Sequence, residues 1–290
     1  MSIKTFRNVL TGLFLSYIIV SSVSCSSDSK KAQEILNGNG SGTQSDTAIA
    51  ALRVSKVKSI FNKTPSAVDR IQLIKKSRAK YSESFPSDPT SASKYTSLKG
   101  QALNLGIYGA DLAYAGIYEQ KEEASLYLQC ANKLATSLGI PQAFNEAVVS
   151  RIEANIGLQD SLLAIITQDY MNTDAGLTKD GRPQVSAFLI AGGWIEGFYL
   201  ATQMATQTGS PDLAGTAAGQ KSALEDLMAL IQTYPSDGKM KDLLEQLKKI
   251  QAVLAPIQIT PGQLTTVTPE QLKAMTDAAA SVRNEVVGEF

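Results

Sequence analysis

Two acidic residues stand in the middle of apolar runs: Asp111 in NLGIYGADLAYA (104–115) and Glu196 in FLIAGGWIEGFYLATQM (188–204). Two carboxylates held roughly 5–9 Å apart can hydrolyse a glycosidic bond, and either alone can orient a small polar ligand. Each acid has companions. Asn104, Tyr108, Asp111 and Tyr118 are spaced so that they share one face of a helix. Glu196, Tyr199 and Gln203, with Gly192 one turn earlier, make a similar stripe, and the only tryptophan, Trp194, adds a flat surface beside it. The stripes could line a pocket where carboxylates and phenols position a ligand. They could equally form a polar core, in which a buried acid accepts from tyrosine hydroxyls, a lysine, an arginine or an orphan helix-end amide. Either way a buried carboxylate needs partners. A polar core is the simpler expectation, because structural networks also perturb acids. Hydrolysis ranks below both, since catalytic acid pairs sit in open polar clefts rather than among glycine and alanine.

Other chemistries find little support. There is no histidine, which removes the commonest general base, the commonest zinc ligand and the usual catalytic triads. Cys130 lies at helical spacing from Leu126, Leu134 and Leu138, the setting of a buried small hydrophobe rather than a nucleophile. NTDAGLTKDG from Asn172 has acids like a calcium loop, but Leu177 stands where glycine is needed and Pro183 where glutamate is needed. SASK at Ser91 lacks the companion motifs of Ser-x-x-Lys enzymes, and no glycine loop could cradle a phosphate. No metal or cofactor is expected, and no enzymatic activity. Bases and acids balance at 27 each, so there is no basic footprint for nucleic acid.

The elements that must hold the two stripes are helices. Prolines punctuate the chain, several beside capping residues, as in Ser210-Pro211-Asp212 and Thr268-Pro269-Glu270, and no run alternates long enough for a strand. The pattern predicts helices over 47–62, 66–84, 91–119, 121–138, 142–155, 158–175, 183–208, 212–233, 237–254 and 269–287. The expected fold is all-α, a single domain over 47–290 of antiparallel neighbours joined by short connections. Runs 102–118 and 185–201 are apolar almost all round, so helices 91–119 and 183–208 should be its buried centre. Both apolar runs fall short of the ~20 residues that span a bilayer, and each holds an acid. Their glycines (106, 109, 116, 192, 193, 197) each cost about 1 kcal/mol of helix stability against alanine, which close approach of another backbone would explain. An offset of 85 residues lays Asp111 on Glu196 and Tyr114 on Tyr199, suggesting a duplicated helical unit; 121–138 would then match 212–233, and 158–175 would match 237–254.

The chain begins with a signal-like segment. Lys4 and Arg7 precede an apolar run over 9–20, and small residues lead into Cys25, with Ser22 three positions before it. Residues 1–24 are expected to be a lipoprotein signal peptide and Cys25 the lipidated, palmitate-bearing first residue of the mature chain. Lys4 and Arg7 are the only charges removed, leaving 25 bases against 27 acids. Residues 25–46, rich in Ser, Gly, Asn and charge, read as a flexible tether. Ser26 follows the cysteine and Asp28 is the only acid close behind, which favours the periplasmic face of an outer membrane.

NLGIYGADLAYA, NIGLQDSLLAII (155–166) and GRPQVSAFLIAGGWIEGFYLAT (181–202) resemble a group of helical envelope lipoproteins of Bacteroidota, over about residues 90–250. The resemblance implies an all-helical, lipidated envelope protein and brings no activity or catalytic residues. The expected role is therefore non-catalytic: a binding or assembly module, anchored in the membrane through its lipid, with an envelope protein as partner. The alternative is a small-ligand-binding protein with its pocket around Asp111 and Glu196.

Overall fold

A computed structural model describes residues 42–63, 67–156, 158–260 and 262–289. The expected signal peptide, Cys25 and nearly all of the expected tether lie outside them. The chain separates into two compact units, 1–48 and 49–290. Of the first, only the opening of one helix is described; the second is the domain treated below. Among the described residues there are helices and no strand.

The helices are α1 (Gly42–Lys63), α2 (Ala67–Ser77), α3 (Leu98–Ile117), α4 (Lys121–Ser137), α5 (Glu146–Asn155) and α6 (Gln159–Lys179). They continue with α7 (Pro183–Thr208), α8 (Pro211–Ala218), α9 (Lys221–Gln232), α10 (Gly238–Leu254) and α11 (Pro269–Val287). Local chemistry sets many of their ends. Ser97, Asn145, Ser210 and Asp237 accept from backbone amides one turn on, and Thr268 and Gln271 form a reciprocal capping box with Pro269 in the first turn. Gly209, at φ +64°, closes α7 in the left-handed conformation that suits glycine.

α3 and α7 form the centre. Leu103 lies against Gly192, Gly106 against Leu189 and Gly193, and Tyr118 against Met204. The numbers rise together, so the two helices run parallel. They are not neighbours along the chain: α4, α5 and α6 intervene and return it to the starting end before α7 begins. A Cβ on Gly106 would fall 2.1 Å from the Leu189 carbonyl oxygen, and one on Gly192 would fall 1.9 Å from that of Leu103. These two glycines therefore let the backbones meet. α7 is long and apolar enough to cross a membrane, but most of it is buried inside this domain.

Around this pair, α4 packs along α3, α6 lies against both, and α11 packs on α7, α3 and α10. α11 is held by Met275, Ala279, Val282 and Val286, an apolar stripe at helical spacing, each completely buried. Three expected helices differ. The one expected over 66–84 ends at Ser77, because Arg78 turns left-handed at φ +58°. The one expected to start at 91 begins at Leu98, after a separate 3-10 turn at Pro89–Ser93. The one expected over 212–233 breaks between α8 and α9 at Gly219 and Gln220. That break also weakens the idea of a duplication: α4 runs along α3, whereas α9 packs chiefly on α10.

Candidate functional site

Asp111 and Glu196 meet at the α3–α7 contact, and neither exposes any surface to solvent. Glu196 is paired with Arg283 of α11: Nε donates to Oε2 at 3.0 Å and a terminal nitrogen to Oε1 at 3.4 Å. That guanidinium also donates to the Ser87 hydroxyl at 2.7 Å and the Phe85 carbonyl at 3.4 Å, and it lies over the Tyr199 ring, 4.9 Å from its centre. Asp111 Oδ2 accepts from the Ser87 amide at 3.0 Å. Its Oδ1 has no hydrogen-bond partner among the described residues, and the nearby Glu196 carboxylate opposes its ionisation.

Burial, then the charge of Glu196, holds the Asp111 carboxyl well above the usual carboxylate range. Burial also raises Glu196, but Arg283 opposes it there. The pair therefore keeps one proton, on Asp111, and one negative charge, on Glu196, which Arg283 balances. The network joins α3, α7, α11 and the loop carrying Phe85 and Ser87. Sequence reasoning missed Arg283 and Ser87. Arg283 had a signal, since it lies four residues after Ala279 and three before Val286, on the apolar side of its helix. Ser87 contributes a backbone amide, which no residue type announces.

The remaining stripe residues do not converge on the acids. Asn104 donates to Gly100 and more distantly to Val286 carbonyls, 2.9 and 3.5 Å away. Tyr108 donates to the Asp88 carbonyl at 2.8 Å, and Tyr118 to Met204 Sδ at 3.4 Å. Gln203 is half-buried on α7. Cys130 is buried, its thiol pushed up to about 11 by burial, and it donates to the Pro89 carbonyl. Among the described residues no cluster of acids and cysteines could hold a metal.

Trp194 belongs elsewhere. It stacks on Phe198, ring centres 5.2 Å apart, and lines a cavity of about 560 Å³ on another face of the central pair. The cavity lies between that pair and α1, α2, α6 and α8. Ile60, Phe61, Leu73 and Ile74 close one side; Leu163, Ile166 and Met171 of α6, with Leu213 and Ala217 of α8, close others. Neither Asp111 nor Glu196 is among its walls, so this cavity is not the pocket the sequence suggested around them. Its polar edge is Thr167, Gln168, Thr216 and Gln220, and Met171, 39 % exposed, marks where it meets solvent.

The glycines show why there is space. The Tyr170 ring of α6 occupies the place of a side chain at Gly109 and touches Gly193, its hydroxyl donating to the Gly106 carbonyl at 2.7 Å. Leu162 fills the corresponding place at Gly116. At Gly197 nothing lies within 4 Å of where a Cβ would stand, and this glycine lines the cavity. No protein-family model matches this chain, and no curated protein and no solved structure is significantly similar to it.

Proposed function

We propose that this protein is a lipid-anchored envelope protein that binds a small apolar molecule without transforming it, and that the acid pair serves the fold. The cavity carries this reading: its volume falls within the ~300–1,000 Å³ usual for small-molecule sites, and its wall is mostly aliphatic and aromatic with a few polar groups at the edge. Glu196 and Asp111 are sealed from solvent, Glu196 bound by Arg283 and Asp111 by the Ser87 amide, which supports a structural role. The signal-like start ending at Cys25 supports anchoring, and the residues after it support the periplasmic face of the outer membrane.

The test uses the mature chain with Cys25→Ser, so that no acyl chain competes, and the neutral fluorescent probe N-phenyl-1-naphthylamine. Saturable binding at one site is expected. Gly197→Leu adds four carbons, on the order of 120 Å³ at ~30 Å³ each, into space that holds no other group. It should weaken probe binding at least tenfold without lowering the unfolding midpoint. Absence of saturable binding, or equal binding by the variant, would overturn the proposal. Palmitate labelling that persisted in the Cys25→Ser chain would remove the anchor from it.

A further inference from the structure

We infer that the ligand is uncharged: a largely hydrocarbon molecule of about 20 non-hydrogen atoms, carrying at most a hydroxyl or carbonyl head. This deepens the cavity reading above and rests on it. The size follows from about 560 Å³ at ~30 Å³ for each non-hydrogen atom. The charge follows from the wall. None of the described residues lining the cavity is Asp, Glu, Lys or Arg, although such residues make up 19 % of the chain.

Nor, among the described side chains, do the helices that border it hold a cation in reserve. On α1, Lys56 and Lys63 both bind Asp226 of α9, and Arg53 donates to Thr233 and lies over the Tyr234 ring. Lys76 of α2 pairs with Asp212. Lys221, next to the lining Gln220, donates to the Ala255 and Ile257 carbonyls at 2.9 and 3.3 Å. Lys58 and Lys75 are exposed and not part of the wall. A carboxylate, phosphate or ammonium entering this space would give up water and meet no opposite charge, which is strongly unfavourable.

The hydroxyls point the same way. Thr167 donates to the Leu163 carbonyl, Thr216 to Asp212 and Tyr170 to Gly106, so their hydrogens are committed to the protein. Each oxygen keeps a lone pair for a ligand hydroxyl, and no described side chain of the wall brings a positive charge to an anion. Phospholipids and fatty acids, the charged lipids of an envelope, would thus be turned away, while a long-chain alcohol, a monoglyceride or an uncharged isoprenoid of this size would be accepted.

The experiment displaces N-phenyl-1-naphthylamine from the Cys25→Ser mature chain with three ligands of equal chain length, tetradecanol, tetradecanoate and tetradecylamine, at pH 7.5 and below micelle formation. Tetradecanol should displace the probe at a concentration at least a hundredfold lower than the acid or the amine. If the acid or the amine matches the alcohol, the charge inference is overturned while the cavity reading stands. If the probe binds and the alcohol does not displace it, the ligand class is overturned. If the probe itself does not bind, the underlying cavity reading fails instead.

Discussion

Replacing Asp111 with asparagine should leave the protein as stable as before below pH 3.8 and make it increasingly more stable than the wild type as pH rises above that value. In the native state Asp111 keeps its proton at pH values where an unfolded aspartate, near 3.8, has lost it, because burial and the Glu196 charge oppose ionisation. The native state then holds more protons than the unfolded one, so stability falls as pH rises from 3.8 towards the native titration. One proton corresponds to about 1.4 kcal/mol per pH unit, so between pH 5 and pH 7 this carboxyl can withdraw as much as about 3 kcal/mol. An amide reproduces the protonated acid: it is uncharged beside Glu196 and its oxygen accepts the Ser87 amide. Asp111→Asn therefore removes that slope. Asp169, raised to about 7 by burial, and Asp174, also raised by burial, slope in the same direction in both proteins, so the difference between them isolates the Asp111–Glu196 pair. Urea unfolding at pH 5, 6, 7 and 8, followed by the buried Trp194, is the assay. Arg283→Met is the counterpart: it strands the Glu196 charge and should cost about 3–5 kcal/mol, much of it recovered when Glu196→Gln is added. Identical pH slopes in wild type and Asp111→Asn, or a loss above about 2 kcal/mol for Asp111→Asn at pH 7, would refute a shared proton at this site.

Two further outcomes follow from the packing. Gly106→Ala drives a methyl into the Leu189 carbonyl and should lower the unfolding free energy by ~2 kcal/mol or more, whereas Gly197→Ala meets nothing and should raise it by about 0.5–1 kcal/mol; thermal unfolding of the two variants reads the contrast. Asp226→Ala removes the anchor of Lys56, Lys63 and Ser59, so α1 should lose amide-exchange protection over 53–63 and probe affinity should fall with it, since Ile60 and Phe61 are cavity wall.

Where both ends of a helix carried local signals, the sequence was sufficient. α7 and α11 occupy the expected 183–208 and 269–287, each with Pro in its first turn, and α7 has a left-handed glycine behind it. Boundaries set by tertiary contact were not legible. Within the segment 78–97, the pattern predicts that the helix before runs on to 84 and the helix after begins at 91. The chain instead leaves the helix at Arg78 and crosses the domain, bringing the Phe85 carbonyl and the Ser87 amide to Arg283 and Asp111. Likewise Asp111 and Glu196 announced that a buried charge needed a partner, but Arg283 comes from 87 residues further on.

Six glycines in the apolar runs of the central helices carry the same lesson into function. In sequence they look alike, six costs to helix stability awaiting one explanation. In space Gly106 and Gly192 admit a backbone, Gly109 and Gly193 admit Tyr170, Gly116 admits Leu162, and Gly197 admits nothing that belongs to the protein. A void between packed helices is destabilising, and one branched side chain at position 197 would reduce it. The central pair tolerates that opening because its other faces are over-determined, by backbone contact at Gly106 and Gly192 and by the Asp111–Glu196–Arg283 network. Glu196 and Gly197 are adjacent residues with opposite tasks. The first fixes α7 to α3 and α11 so firmly that the second can leave a space beside it, and a space maintained at that cost is where a ligand should be sought.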